Sequence, residues 1–291
     1  MKQVRSLQVK TPKLFILTAL TMMAFAANSL LCRLALIDSQ NNPISFTLVR
    51  LFAGALVLVF FLFKFRSAES TSPKGLQGLA PVFLFSYALF FSLAYVQISA
   101  GTGALILFGS VQLTMIAASL FKKQRMTLWQ WSGVALAMLG LIYLLLPGIH
   151  MPPLHAAAFM AIAGISWGFY SVIGQKNKNP IYATAKNFVM TTPLVILLAI
   201  LFPINLTPHG WMFAILSGAI TSGFGYVLWY LVLKDLVTST AAIVQLSVPA
   251  ITAFGGVIFL GESLHQRLVI SSLLIFCGII LKVKAGSRKN I

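Results

Sequence analysis

Residues 14–37 read LFILTALTMMAFAANSLLCRLALI, twenty-four residues in which Arg33 is the one charge. About 20 mostly apolar residues span the hydrocarbon core of a bilayer as a helix. The run is too long for the apolar core of a signal peptide, and no small-residue cleavage site follows it, so it reads as a retained first span. The same pattern recurs along the chain, at roughly 44–65, 77–98, 102–121, 127–146, 155–174, 181–202, 210–233, 239–260 and 266–285. The ten runs are joined by short loops, so consecutive helices are antiparallel neighbours and no soluble domain is inserted.

Composition agrees with that reading. Hydrophobic residues make up 59% of the 291 and charged residues 9%, against about 25% charged in a soluble domain. So few charges cannot cover a water-exposed surface, which excludes a soluble enzyme, a disordered chain and a disulfide scaffold. Cys32 and Cys277 sit alone in apolar runs without metal or disulfide spacing, and neither a metal nor a cofactor is expected.

A net charge of +17 raises the question of nucleic acid. The basic residues answer it by position, lying in the gaps between apolar runs rather than on one soluble face. Lys2, Arg5, Lys10, Lys13, Lys64, Arg66, Lys74, Lys122, Lys123, Arg125, Lys176, Lys178, Lys186, Lys234, Lys282, Lys284, Arg288 and Lys289 all fall on one side of a ten-span topology. Arg267 alone falls on the other. Lys and Arg accumulate on the cytoplasmic side, so both termini are expected in the cytoplasm. The expected partners are a lipid bilayer and a small-molecule substrate, with no nucleic acid, and the expected state is a monomer or weak dimer.

The second half echoes the first. Ser110–Val111–Gln112 matches Ser247–Val248–Pro249, Ala104 matches Ala241, Gly140 matches Gly278, and Phe25–Asn28 aligns with Trp167–Tyr170. Five spans per half is an odd number, so the halves, 1–148 and 149–291, must face opposite ways. Inverted repeats of this kind place a binding site at the repeat interface near the bilayer midplane.

These residues carry a resemblance. Gly223–Phe224–Gly225–Tyr226–Val227–Leu228–Trp229–Tyr230, then Ala241 through Pro249 to Leu260–Gly261–Glu262, with Pro43 and Arg50 in the second span, resemble the EamA-type, ten-helix members of the drug/metabolite transporter superfamily. The resemblance covers about 14–285. It implies solute movement through a central cavity lined by helices one, three, four, six, eight and nine, and export of amino acids, metabolites or drugs by many members. The first half departs from the pattern. Gln112 stands where a proline is expected, and Lys122–Lys123–Gln124–Arg125 replaces the usual glycine–glutamate.

The residues themselves suggest a site. Pro249 lacks an N–H and deprives the carbonyl of Gln245 of its helical partner, which in hydrocarbon must then be satisfied by protein, water or ligand. Gln245 adds an amide and Ser247 a hydroxyl. Gln112 holds the matching place in the fourth span, facing either solute or a neighbouring helix. At about 1.5 Å per residue, Asn28 lies roughly 4 Å outward of mid-depth, and Trp167 and Tyr170 roughly 4 and 8 Å inward. Together these could bracket a solute, with Trp229 and Tyr87 reaching the same cavity. Gly164 and Gly168 form a GxxxG pair for close helix approach, either as static packing or as sliding surfaces. Arg50, roughly 7 Å from mid-depth by the same rise, needs a partner. Asp38 and Glu262 are the acids on its side, so a gate or structural ion pair is the first reading and a grip on a substrate carboxylate the second.

No Asp or Glu lies within a span, and of the four histidines only His155 touches one, at its outer end. That leaves no carboxylate proton relay and no constellation for an intramembrane enzyme. The expected function is a carrier of the bacterial inner membrane that exports neutral or zwitterionic metabolites by alternating access. The alternative is a non-transporting membrane subunit or assembly factor.

Overall fold

A computed structural model describes residues 12–64, 78–121, 126–146, 151–174, 179–236 and 244–287. The basic run at 122–125, the start of the expected ninth span and the boundary between the halves lie outside the described residues. Those described form ten helices and no strand. They are α1 (Pro12–Leu36), α2 (Pro43–Lys64), α3 (Ala80–Tyr95), α4 (Ala100–Phe121), α5 (Leu128–Leu145), α6 (Leu154–Gly174) and α7 (Pro180–Leu201). The eighth helix runs in three parts, α8N (Pro208–Leu216), a π-helical stretch (Ser217–Phe224) and α8C (Gly225–Asp235). Last come α9 (Ser247–Leu260) and α10 (Gln266–Ser287).

Seven of the helices are long and apolar enough to cross a membrane, and α3 and α9 are shorter apolar helices. Large apolar side chains cover the outside, among them Phe52, Phe63, Phe121, Trp129, Phe254 and Phe259. In water such a continuous apolar exterior would drive aggregation; in lipid it is the solvated face. The chain is a multi-pass membrane protein.

Helix ends follow the local sequence. Thr127 caps α5 by accepting from the Gln130 N–H while the Gln130 side chain accepts from Thr127 N–H, a reciprocal capping box. Asn179 and Thr207 cap α7 and α8N, with Pro180 and Pro208 at the first helical position, where a missing N–H costs nothing. Gly261 ends α9 in the left-handed region at φ 64°, a conformation glycine adopts without strain.

Two spans differ from the sequence expectation. The eighth is not a regular α-helix but takes up a π-helical stretch at its centre. In the ninth, a turn at Leu246 separates helical Val244–Gln245 from α9, three residues before Pro249. Pro249 is thus buried in the first turn of α9, where its ring is tolerated.

The packing repeats when each helix is exchanged for the one five places on. α4 packs on α6 as α9 packs on α1, and α3 packs on α6 as the eighth helix packs on α1. α2 meets α7, α4 meets α9, and α5 meets α10. Small residues allow the closest approaches. A Cβ on Gly133 would lie 2.5 Å from the Gly278 carbonyl oxygen, and one on Gly164 would lie 2.5 Å from the Leu107 carbonyl oxygen. A Cβ on Gly168 would meet Thr114 Cβ at 2.7 Å. Gly164 and Gly168 therefore seat α6 on α4.

Candidate transport site

The centre of the bundle is aromatic. Phe25 on α1 meets Trp167 on α6 at 5.7 Å between ring centroids, Tyr226 at 5.9 Å and Trp229 at 5.7 Å, all edge-on. Trp167 lies 4.9 Å from Tyr87 on α3 and 4.6 Å from Tyr226 on α8C. It continues to Tyr170 at 5.4 Å, which stacks on Tyr230 at 5.7 Å. Edge-on and offset geometries are those preferred between aromatic rings.

Within this cluster lies a cavity of about 10 Å³, lined by Phe25, Asn28, Ser29, Tyr87, Phe91, Leu107, Phe108, Trp167 and Tyr226. That is the space of roughly one water molecule. Every lining residue is buried, so this conformation is closed around its centre.

A polar layer adjoins the rings. The Asn28 side-chain oxygen accepts from Ser217 Oγ at 2.6 Å, Thr221 Oγ1 at 3.2 Å and Ser222 Oγ at 3.4 Å. Its amide nitrogen donates to the Tyr87 hydroxyl at 3.2 Å. Arg50, 1% exposed, donates from Nε to Ser222 Oγ at 3.0 Å. Its Nη2 donates to the hydroxyls of Tyr226 at 2.9 Å and Tyr87 at 3.3 Å. The guanidinium carbon sits 5.3 Å from the Tyr87 ring centroid and 5.0 Å from that of Phe91, within cation–π range.

The structure brings Asn28, Tyr87 and Trp167 to one cavity, with Tyr170 and Trp229 as its second ring of aromatics. The others lie elsewhere. Gln112 is buried but lines a separate crevice between α4, α5 and α10, with Gly109, Gly133 and Lys282. Ser247 is exposed and donates to the Val244 carbonyl at 2.7 Å, closing the turn at the start of α9. Gln245 is buried, and its side-chain oxygen has no hydrogen-bond partner among the described residues.

The expected pairing of Arg50 with an acid is corrected. Glu262 pairs with Arg33, Nε to Oε1 at 3.4 Å, and accepts from the Ala100 N–H at 3.0 and 2.8 Å. Arg33 lies nearer its helix end and nearer the loop that carries Glu262, so the carboxylate meets it first. Arg33 also donates to the carbonyls of Tyr95 and Val96. Further bonds join the halves at the same end. Thr207 N donates to Asn41 Oδ1 at 2.7 Å, Asn42 N to Asn205 O at 3.1 Å, and Asn205 N to Ser45 Oγ at 3.0 Å.

Sequence reasoning missed Phe25, Phe91 and the hydroxyl set Ser217, Thr221 and Ser222. The available signal was spacing. Ser217 and Ser222 are five apart, which an α-helix places on different faces and a π-helical stretch brings to one.

Comparison with known proteins follows the same lines. The EamA-like transporter family matches twice, at residues 13–146 and 154–283. An uncharacterized protein of Pseudomonas aeruginosa, PA1977, is 43% identical over 91% of this chain and 93% of its own. The threonine/homoserine exporter RhtA of Salmonella typhimurium is 30% identical over 75% of this chain and 74% of its own. The uncharacterized transporter YoaV of Bacillus subtilis is 23% identical over 86% and 90%. One crystal structure superposes with a TM-score of 0.66 over 93% of this chain and 96% of that one, at 16% identity, a likeness of fold alone. With both segments of the chain matched, and with buried aromatics and hydroxyls at the centre of the helical bundle, this chain belongs to the EamA-like transporter family, within the drug/metabolite transporter superfamily.

Proposed function

We propose that the chain is a carrier of the bacterial inner membrane that exports small zwitterionic or neutral metabolites, amino acids and related compounds foremost. The observation that carries this reading is the central cavity, where aromatic faces from α1, α3, α6 and α8C adjoin a buried layer of amide, hydroxyl and guanidinium groups. Aromatic rings can hold an apolar side chain, and the polar layer can hold charged or hydrogen-bonding ends. The 30% identity to RhtA supports the substrate class.

The architecture in this reading is two inverted five-helix halves, 1–148 and 149–291, with both termini cytoplasmic. The double match to the family and the packing that recurs five helices on both support it. The excess of Lys and Arg on one side supports the orientation. A cavity of one-water size must widen to admit a solute, so the structure is read as a closed state of an alternating cycle. The cross-half bonds around Glu262 and Asn41 hold its outer end shut.

Counterflow into proteoliposomes tests this. Purified protein is reconstituted with unlabelled L-threonine inside and labelled L-threonine outside, and the same is done for homoserine and a panel of amino acids. Cells that overproduce the protein are challenged in parallel with inhibitory amino acids and analogues. Accumulation of label and raised resistance to the same compounds are the expected result. If no solute exchanges, and cysteines placed at Gln112 and Gln245 stay unlabelled by a water-soluble thiol reagent, the chain is a non-transporting membrane subunit instead.

A further inference from the structure

Donors outnumber acceptors around Arg50. A guanidinium carries five N–H donors and accepts nothing. Nε and Nη2 bond hydroxyls, whereas Nη1 is buried and has no hydrogen-bond partner among the described residues. The Tyr87 hydroxyl oxygen accepts three times, from Asn28, Arg50 and Tyr226 at 3.2, 3.3 and 3.2 Å, although a hydroxyl has two lone pairs. The Asn28 oxygen is already reached by three hydroxyls, of which Thr221 also reaches the Ser217 carbonyl at 3.0 Å. Among the described residues none of the partners of Arg50 is an acid: they are Ser222, Tyr226 and Tyr87, with the faces of Tyr87 and Phe91. Glu262 is taken up by Arg33 and Ala100.

A buried cation without a counter-ion is costly, and neutral hydroxyls and rings offset that cost only in part. The neighbourhood lacks an anion with two acceptor oxygens. We infer that the carboxylate of a transported solute is that anion, and that Arg50 with Tyr87 is its binding site. The inference rests on the carrier reading above and names the chemical class its site takes. Tyr87, Phe91 and Tyr226 form both the wall of the central cavity and the surroundings of the guanidinium, so a solute in the cavity stands one side chain from Arg50. As the cavity widens and Tyr87 turns aside, one carboxylate oxygen takes Nη1 and the other replaces Tyr87 on Nη2, the paired geometry a guanidinium favours. The Tyr87 hydroxyl then donates to the same carboxylate. The guanidinium carries a single positive charge, which suits one negative charge rather than two. The solute is therefore a monocarboxylate, free or zwitterionic, and its amide is discriminated against.

The test separates this site from the transport reading. In a full-length variant with Trp129, Trp131 and Trp211 changed to phenylalanine, Trp167 and Trp229 alone report on the cavity by fluorescence. Acetate, butyrate, 3-phenylpropionate, L-threonine and L-homoserine are titrated, each against its own amide, with sodium chloride at matched ionic strength as control. At least one acid binds tenfold or more tightly than its amide, and Arg50→Gln brings that ratio close to one while Arg50→Lys keeps part of it. The wild-type ratio decides even if Arg50→Gln fails to fold. If acids and amides bind alike, if no acid binds, or if chloride reproduces the response, the site is overturned. Binding of the acids without counterflow leaves the site standing and removes the export reading; counterflow of acids and amides alike does the reverse.

Discussion

Glu262, in the loop after α9, reaches Arg33 on α1 with Oε1 3.4 Å from Nε, and the same carboxylate accepts from the Ala100 N–H at the start of α4. One acidic side chain thereby ties the end of the ninth helix to the first and fourth. Both partners are mostly buried, at 15% and 14% side-chain exposure, so the contact is only partly screened by solvent. Hydrogen bonds to charged groups contribute about 1.5–3 kcal/mol net. Glu262→Ala is expected to lower the melting temperature in detergent by an amount within that range of free energy. Glu262→Gln, which keeps an acceptor for Ala100, lowers it less. Equal losses in the two variants would mean that the Ala100 bond contributes nothing.

Two glycines give opposite signs. A Cβ on Gly218 would meet the Arg50 backbone, its carbonyl oxygen closest and its carbonyl carbon at 2.8 Å. Backbone cannot turn aside as a side-chain tip can, so Gly218→Ala is expected to destabilise by about 1–3 kcal/mol or more, as overpacking does. A Cβ on Gly109 would meet Leu141 Cδ1 from the neighbouring helix only at 3.9 Å, an ordinary contact, and Gly109 lines the crevice beside Gln112. Gly109→Ala gains about 0.8–1 kcal/mol of helix propensity, and thermal unfolding should show it more stable than the parent. A loss at Gly109, or none at Gly218, would contradict the packing described.

The helices were legible because a bilayer imposes a length on every apolar run, and seven of them are long and apolar enough to cross one; of the central aromatics, Trp167 and Tyr170 were legible from their depth, whereas Phe25 and Phe91 were not. What the sequence hid was lateral position. Asn28 and Gln112 are both polar residues inside spans, yet one lies in the central cavity and the other in the α4–α5–α10 crevice. Depth alone does not separate them, because the rotation of each helix about its axis is set by neighbours far away in sequence. Ser247 went astray for a related reason. A turn at Leu246 interrupts the helix, and the hydroxyl of exposed Ser247 closes that turn. The acid partner of Arg50 was sought because a buried cation ordinarily has one, and the structure instead surrounds it with hydroxyls and rings.

Orientation is open to direct measurement. With Cys32 and Cys277 changed to alanine, single cysteines are placed at Asp38 and Gln97, exposed between helices, and at Lys284 near the chain end. In intact cells a membrane-impermeant maleimide is expected to label the first two and spare the third until the membrane is permeabilised. Labelling of all three in intact cells would break the cytoplasmic assignment of the C-terminus.

Asn28→Asp tests the charge balance from the protein side. The mutant carboxylate keeps an oxygen for Ser217, Thr221 and Ser222, and its second oxygen replaces the amide that now donates to Tyr87. Tyr87 gains an acceptor for its proton and loses one of its three donors. Arg50 shares both Tyr87 and Ser222 with this position, so the variant supplies a counter-ion one hydroxyl away. Melting temperature should therefore rise, and the preference for acids over their amides should fall at least tenfold, because the anionic place is already filled. Asn28→Leu removes the acceptor without adding charge and should cost about 1–3 kcal/mol, the penalty of buried groups left unpaired. An aspartate that destabilises as much as leucine, with the acid preference intact, would show that the donors around Arg50 are balanced without any anion.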